Sequence, residues 1–396
     1  MRKHSFFRAP KTIIYGKGSF EKVGSEAVVR GKKALIVSDK TMEALGNITE
    51  CKDRLKKENV DSAVYLGVIS EPTDEYVNDA LKIYQKEGCD LIISIGGGSC
   101  IDAAKAVSVI ASGGGYIGEY MGGNRKPSVN PVPHIAIPTT AGTGSEATDV
   151  TVIINISNDE KMMIKQPAFM PEVALVDSAL TASSPKGVTS ATGIDALTHA
   201  IEAYLSKKAH PLTDTLALSA MKLIFYNIRK VYKDGSDEEA RDAMSLGALQ
   251  AGMAFTNASV ALVHGMSRPI GALFHVPHGI SNAMLLPAVM EYSREECEKR
   301  LADIGKIFSD KLEFRNDEDA ASFAVREVKK MCLDLDIPNL KSYGIEQEKF
   351  ERAIEKMSFD ALKSGSPANN PKVPSQEEIR KLYGVCYNYN FANLNP

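Results

Sequence analysis

The 396-residue chain has no cysteine pair at CxxC spacing, no apolar run approaching roughly 18 residues, and no surplus of one charge sign. Its six cysteines, Cys51, Cys89, Cys100, Cys297, Cys332 and Cys386, are scattered. That excludes a zinc finger or disulfide framework and suits single reduced thiols. With 47 basic and 50 acidic residues the formal net charge is -3, too little of either sign for nucleic acid or an anionic membrane surface. Small molecules are the expected partners. The opening "MRKHSFFRAPKTIIYG" is positive but is cut by Pro10 and Lys11 before an apolar h-region develops, so neither signal peptide nor membrane span is expected and the location is read as cytoplasmic. There is no internal repeat and no low-complexity tract.

What is present divides in two. The length exceeds what one hydrophobic core usually serves, and 44% hydrophobic with 24% charged residues is ordinary globular composition. Up to about residue 180, Val- and Ile-rich runs alternate with longer amphipathic stretches: "KALIVSD" (33–39), "DSAVYLGV" (61–68), "DLIISIGGGS" (90–99), "HIAIPTTAG" (134–142) and "DVTVIIN" (149–155). This alternation predicts βαβ units around a mostly parallel sheet. From Pro185 the strand-like runs give way to segments of helical period. The expected division is therefore an α/β domain over 1–184 and an all-α domain over 185–396. Near the end Pro367, Pro371 and Pro374 bar helix, and Ser375 is placed to cap a final one.

In "DLIISIGGGSCIDAAKAV" (90–107) a strand, a glycine turn and a helix of small residues follow one another. Gly96, Gly97 and Gly98 permit a sharp turn and close approach of a ligand, and Ser99 opens a helix whose free N–H groups favour an anion. The spacing is not GxGxxG, and a tight turn with no ligand explains it equally well. Asp39 ends a strand; it suits a ribose hydroxyl pair and repels a 2'-phosphate, or else simply ends the strand as a turn residue. "PTTAGTGSEATD" (138–149) offers Thr139, Thr140, Thr143 and Ser145 to a ligand, or is a polar connecting loop.

"TSATGIDALTHAIEAYLS" (189–206) has helical period, which places Asp195 and His199 at i and i+4 on one face. Such a pair alone is ordinarily a surface contact. In "ALVHGMSRPIGALFHVPHG" (261–279), however, His264, His275 and His278 stand in an apolar setting where an imidazole needs a partner. Two of them meeting Asp195 and His199 would give one oxygen and three nitrogen donors, a set for Fe(II), Zn(II) or Mn(II).

These residues resemble the iron-containing (group III) alcohol dehydrogenases. The resemblance is carried by "GGGSCIDAAKAV", "IPTTAGTGSEATD", "GIDALTHAIEAY" and "LVHGMSRPIGALFHVPHGISNAMLLP", with "PKTIIYGKGSFEKVG" before them and "NPKVPSQEEIRKLY" after. It implies a dehydroquinate synthase-like fold in which an N-terminal α/β domain binds NAD(H), a helical domain binds the metal, and the two ligands meet in a cleft. By resemblance the metal ligands are Asp195, His199, His264 and His278, with iron the expected metal, and His275 becomes a packed neighbour or pocket wall. The pyrophosphate loop falls on Gly97, Gly98 and Ser99 with Asp102 nearby, and Asp39 lies on the ribose side. Thr139, Thr140 and Ser145 fall on the nicotinamide side, and Lys161 supplies a basic contact. Many family members carry H-x-x-x-H where this chain has "HGMSR", which puts Arg268 in the place of a proton-passing histidine. Arginine stays protonated and cannot shuttle a proton, but it holds an anion by paired hydrogen bonds.

The implied activity is NAD-dependent interconversion of a small primary alcohol and its aldehyde by a homo-oligomer, most simply a dimer. An anionic substrate of semialdehyde or sulfoacetaldehyde type would suit Arg268; otherwise that side chain points to solvent or pairs with a nearby carboxylate. The alternatives are a glycerol dehydrogenase-like polyol enzyme and a non-catalytic nucleotide- or metal-binding relative.

Overall fold

Parallel pairing accounts for the Val- and Ile-rich runs. The computed structural model describes residues 4–158, 160–309 and 311–394, in two compact units: Arg8–Ser183, and the chain from Ser184 onward with the residues ahead of Arg8. In the first unit strands β1 (Thr12–Tyr15), β2 (Lys33–Val37), β3 (Asp61–Tyr65), β4 (Leu91–Gly96), β5 (His134–Pro138) and β8 (Val173–Val176) form one sheet in the order β1-β8-β5-β4-β2-β3. All its pairings are parallel, with Ile36 opposite both Val64 and Ile93.

Such a sheet is buried on both faces, and β2 shows how. Leu35 and Val37 point into one core with helices α4 (Asp74–Glu87) and α5 (Gly98–Gly113). Ala34 and Ile36 point into the other, with α1 (Val23–Val28) and α3 (Asn47–Lys57). The short α2 (Lys40–Ala44) follows β2 directly. Because β3 lies on one side of β2 and β4 on the other, the winding reverses between β2 and β4. In open α/β sheets that point leaves a crevice at the carboxyl ends of the two strands.

The run at 149–155 is a strand, β6 (Val150–Asn155), but not a member of the parallel sheet, which corrects the βαβ expectation there. It pairs antiparallel with β7 (Glu160–Lys165). The connection is far too short for a parallel crossover, which takes a dozen or more residues. One-sided burial of Thr151 and Ile153 also fits a hairpin with one covered face.

From Ser184 onward no strand occurs among the described residues. The helices are α6 (Lys186–Leu205), α7 (Pro211–Lys233), α8 (Glu238–Ala258), α9 (Leu262–Phe274), α10 (His278–Phe308), α11 (Asp317–Asp334), α12 (Gln347–Lys363) and α13 (Gln376–Tyr387). α6 is central: every residue from Gly193 to Leu205 is buried, and it packs on α7, α8 and α10. Ser375 caps α13 as expected, accepting from Glu378 N at 3.2 Å while the Glu378 carboxylate accepts from Ser375 N at 2.8 Å. No single described helix is long and apolar enough to cross a membrane; α8 and α9 pass that test only together, across a 102° bend.

Candidate functional site

Inside the central helix α6, Asp195, His199 and Glu202 fall at i, i+4 and i+7, one buried stripe of ionisable side chains. His264 stands in the first turn of α9, and His278 is the first residue of α10, directly after Pro277. Ligand atoms of Asp195, His199, His264 and His278 all lie within 4.8 Å of one another. His264 Nε2 and His278 Nε2 are 3.7 and 3.9 Å from Asp195 Oδ1, and His199 Nδ1 is 4.0 Å from Asp195 Oδ2. Asp195, His199 and His264 are buried, whereas the His278 side chain is 43% exposed and marks the open side.

Two further residues shape this group. The Glu202 carboxylate accepts from His264 Nδ1 at 2.6 Å, Ala261 N at 2.9 Å and Val263 N at 2.5 Å. It therefore caps α9, whose own N-cap Ala261 supplies no side-chain acceptor. It also fixes the tautomer: with the proton on Nδ1, the Nε2 lone pair of His264 faces the other donors. Asn282, one turn beyond His278 and fully buried, donates from Nδ2 to Asp195 Oδ1 at 2.6 Å and lies 3.1 and 3.2 Å from Nε2 of His264 and His278. A neutral imidazole is what a metal requires. One carboxylate and three imidazoles, with one tautomer already set, fit a divalent transition ion.

Arg268 lies one turn after His264 in α9, with Nη1 donating to Ser366 Oγ at 3.1 Å. Burial lowers its pKa, which Glu202 partly offsets. His275 is exposed, not a packed neighbour, and ends α9 with a left-handed backbone at φ 54°. A separate cavity of about 370 Å³, lined by Glu291, Arg294, Lys329 and Tyr389 among others, contains none of the expected site residues.

In the first unit the crevice at the switch point gathers the other group. Gly97 is the N-cap of α5 and carries no side-chain cap, and a Cβ there would meet nothing nearer than the Thr140 side chain at 3.8 Å. Its neighbours are tight, since a Cβ on Gly96 would lie 2.5 Å from Cys100 Sγ and one on Gly98 2.9 Å from Thr143 Cγ2. The turn thus leaves open the one face where an anion would meet the helix N–H groups. Asp39 Oδ1 caps α2 by accepting from Met42 N at 2.9 Å, while Oδ2 faces Cys100 Sγ at 3.6 Å. Thr139 N donates to Gly96 O at 3.0 Å, bringing the 139–149 loop beside the turn.

Two expected contacts are already engaged within the protein. The Ser145 hydroxyl donates to Asp102 Oδ1 at 2.6 Å and accepts from Lys105 Nζ at 2.8 Å. Lys161, on β7, pairs with Glu71 at 2.7 Å. Sequence reasoning missed Glu202, Asn282 and Lys105. The available signal for Glu202 and Asn282 was a polar residue at helical spacing from a predicted ligand, and for Lys105 a lysine within an otherwise apolar helix.

Residues 10–178 match the family described as iron-containing alcohol dehydrogenase, and residues 189–387 match its C-terminal family. Among curated proteins, 1,3-propanediol dehydrogenase of Citrobacter freundii is 36% identical over 386 residues, covering 96% of this chain and 98% of that one. NAD-dependent methanol dehydrogenase of Bacillus methanolicus is 35% identical over 382 residues, with 96% and 98% covered. A crystal structure of 1,3-propanediol oxidoreductase superimposes with a TM-score of 0.93 at 34% identity, covering 97% of this chain and all of that one.

Proposed function

The chain belongs to the iron-containing alcohol dehydrogenase family, and from that premise we propose that it interconverts a small primary alcohol and its aldehyde. At the coarser level it is an NAD-linked oxidoreductase of alcohols and aldehydes. The observation that carries the reading is the convergence of Asp195, His199, His264 and His278 from three helices, with Glu202 setting the His264 tautomer. When bound, the metal supplies Lewis acidity toward the substrate oxygen, and the nicotinamide gives or takes the hydride.

The chain's own residues do the positioning. Asp195, His199, His264 and His278 hold the ion, and Asn282 anchors the Asp195 carboxylate. The α5 N-terminus at Gly97, Gly98 and Ser99 receives the pyrophosphate, and Asp39 beside it takes the ribose hydroxyls and disfavours a 2'-phosphate. Thr139 and Thr140 line the nicotinamide side. Activity should vanish when the metal is stripped by a chelator and return with Fe(II); full turnover by metal-free protein would overturn the mechanism.

The finer reading concerns Arg268, one turn from His264. Burial weakens its hydration, and it stands one turn from a metal ligand. Its guanidinium would hold the acid group of an anionic aldehyde of semialdehyde or sulfoacetaldehyde type. Arg268→Ala is expected to lower kcat/KM about 100-fold on an anionic aldehyde and less than about threefold on a neutral one of equal length. Equal losses on both would contradict it.

A further inference from the structure

Lys105 sits on α5 two turns beyond the glycine turn and is only 1% exposed. An ammonium has three N–H groups, and here each meets an acceptor: Ser145 Oγ at 2.8 Å, Thr148 Oγ1 at 2.9 Å and Val150 O at 2.7 Å. All three acceptors lie between the hydroxyl-rich loop and the start of β6. Asp102, 3.7 Å from Nζ, holds the same segment by accepting from Ser145 Oγ and, at 2.9 Å, from Val152 N. Packing alone would be met by a methionine of similar volume, without the cost of burying a charge. Together with Asp102, the ammonium ties the helix that starts at the pyrophosphate turn to the loop that follows β5.

We propose that Lys105 is a positioning residue for the dinucleotide, locking the 143–150 segment onto α5 so that both walls of the cofactor crevice are preset before it binds. This rests on the dinucleotide reading of the first unit. Preset walls lower the ordering cost of binding, so loosening them raises the cofactor Kd.

The lock is also sensitive to pH. Burial brings the Lys105 pKa down to about 8, against the opposing pull of Asp102, Glu146 and Asp149. A neutral amine keeps two N–H donors for three acceptors, so the lock is complete below that value and loses one bond above it. Facing it are Asp102 from α5, Glu146 and Asp149 from the loop region, and His134 from β5, whose imidazole burial keeps neutral. Glu146 is raised to about 7, chiefly by burial, and is the other group titrating nearby.

The test measures the NADH Kd by nucleotide fluorescence across about pH 7 to 9 for wild type, Lys105→Met and the milder Thr148→Val. Lys105→Met should raise the Kd about tenfold and Thr148→Val about threefold at neutral pH. The wild-type Kd should climb above pH 8 and that of Lys105→Met should stay flat, with bound metal unchanged in both variants. Unaltered Kd in both variants, beside a wild type that binds NADH, overturns the lock alone. A pH break that persists in Lys105→Met belongs to another group and overturns the pH dependence. A wild type that fails to bind NADH overturns the dinucleotide reading itself. If Lys105→Met does not fold, Thr148→Val decides.

Discussion

Glu202 shows how a residue that need not touch a ligand governs one that does. Its carboxylate takes the His264 Nδ1 proton and two backbone N–H groups of the α9 entry, so it orients the imidazole and the helix carrying it. Glu202→Gln keeps the shape but turns one acceptor oxygen into a donor aimed at N–H groups. Metal affinity should fall about 10- to 100-fold, measured by competition with a chelator of known strength. Undiminished affinity would reduce Glu202 to a helix cap. Residue chemistry pointed to Asp195, His199 and the histidines of 261–279, and the family resemblance picked His264 and His278 from among them. Glu202 was not legible, because a glutamate on a helix is ordinarily a solvated charge, and only the burial of α6 from Gly193 to Leu205 removes that explanation.

At the scale of elements, periodicity carried most of the fold and failed where pairing is non-local. The runs that became β2 to β5 are apolar on both sides, which only a doubly covered sheet accommodates. β1 and β8 were overlooked as strands because each has four residues, too few for a period to register, and they pair with each other across most of the first unit. β6 was assigned the right element and the wrong sheet. Its strand character is local, but its antiparallel partner β7 is defined by a connection whose shortness bars a crossover. The Ser375 cap was fully legible, since a capping box is written within four residues.

Across the whole molecule, burial of ionisable groups sets a pH response. His134 on β5 is 3% exposed, bonded through Nε2 to Ser94 Oγ at 2.8 Å, and burial and then Lys105 press its pKa from 6.5 to about 3. Its folded value lies below the unfolded one, so between these pH values the unfolded chain binds a proton that the folded chain refuses. The stability it permits is fully present above 6.5 and is lost as the pH falls toward 3. From neutrality to about pH 5 the loss is about 2 kcal/mol. His134→Gln cannot take up that proton, so urea unfolding should show the wild-type advantage shrinking by about 2 kcal/mol over that interval. A difference independent of pH would remove His134 from the response.

The sequence by itself determined the α/β and helical halves, the glycine turn at the end of β4 and the Ser375 cap, while the set of four converging ligand residues came from the family resemblance. The first three are set by local chemistry: a strand period, a residue free of Cβ, a side chain that bonds three residues away. Only the tertiary structure decided that the winding reverses between β2 and β4, that β6 leaves the sheet, that His275 faces solvent, and that Glu202, Asn282 and Lys105 stand behind the residues in front of them. Those depend on which distant segments share a core and on what burial then demands of a charge. Chain-local pattern leaves both open.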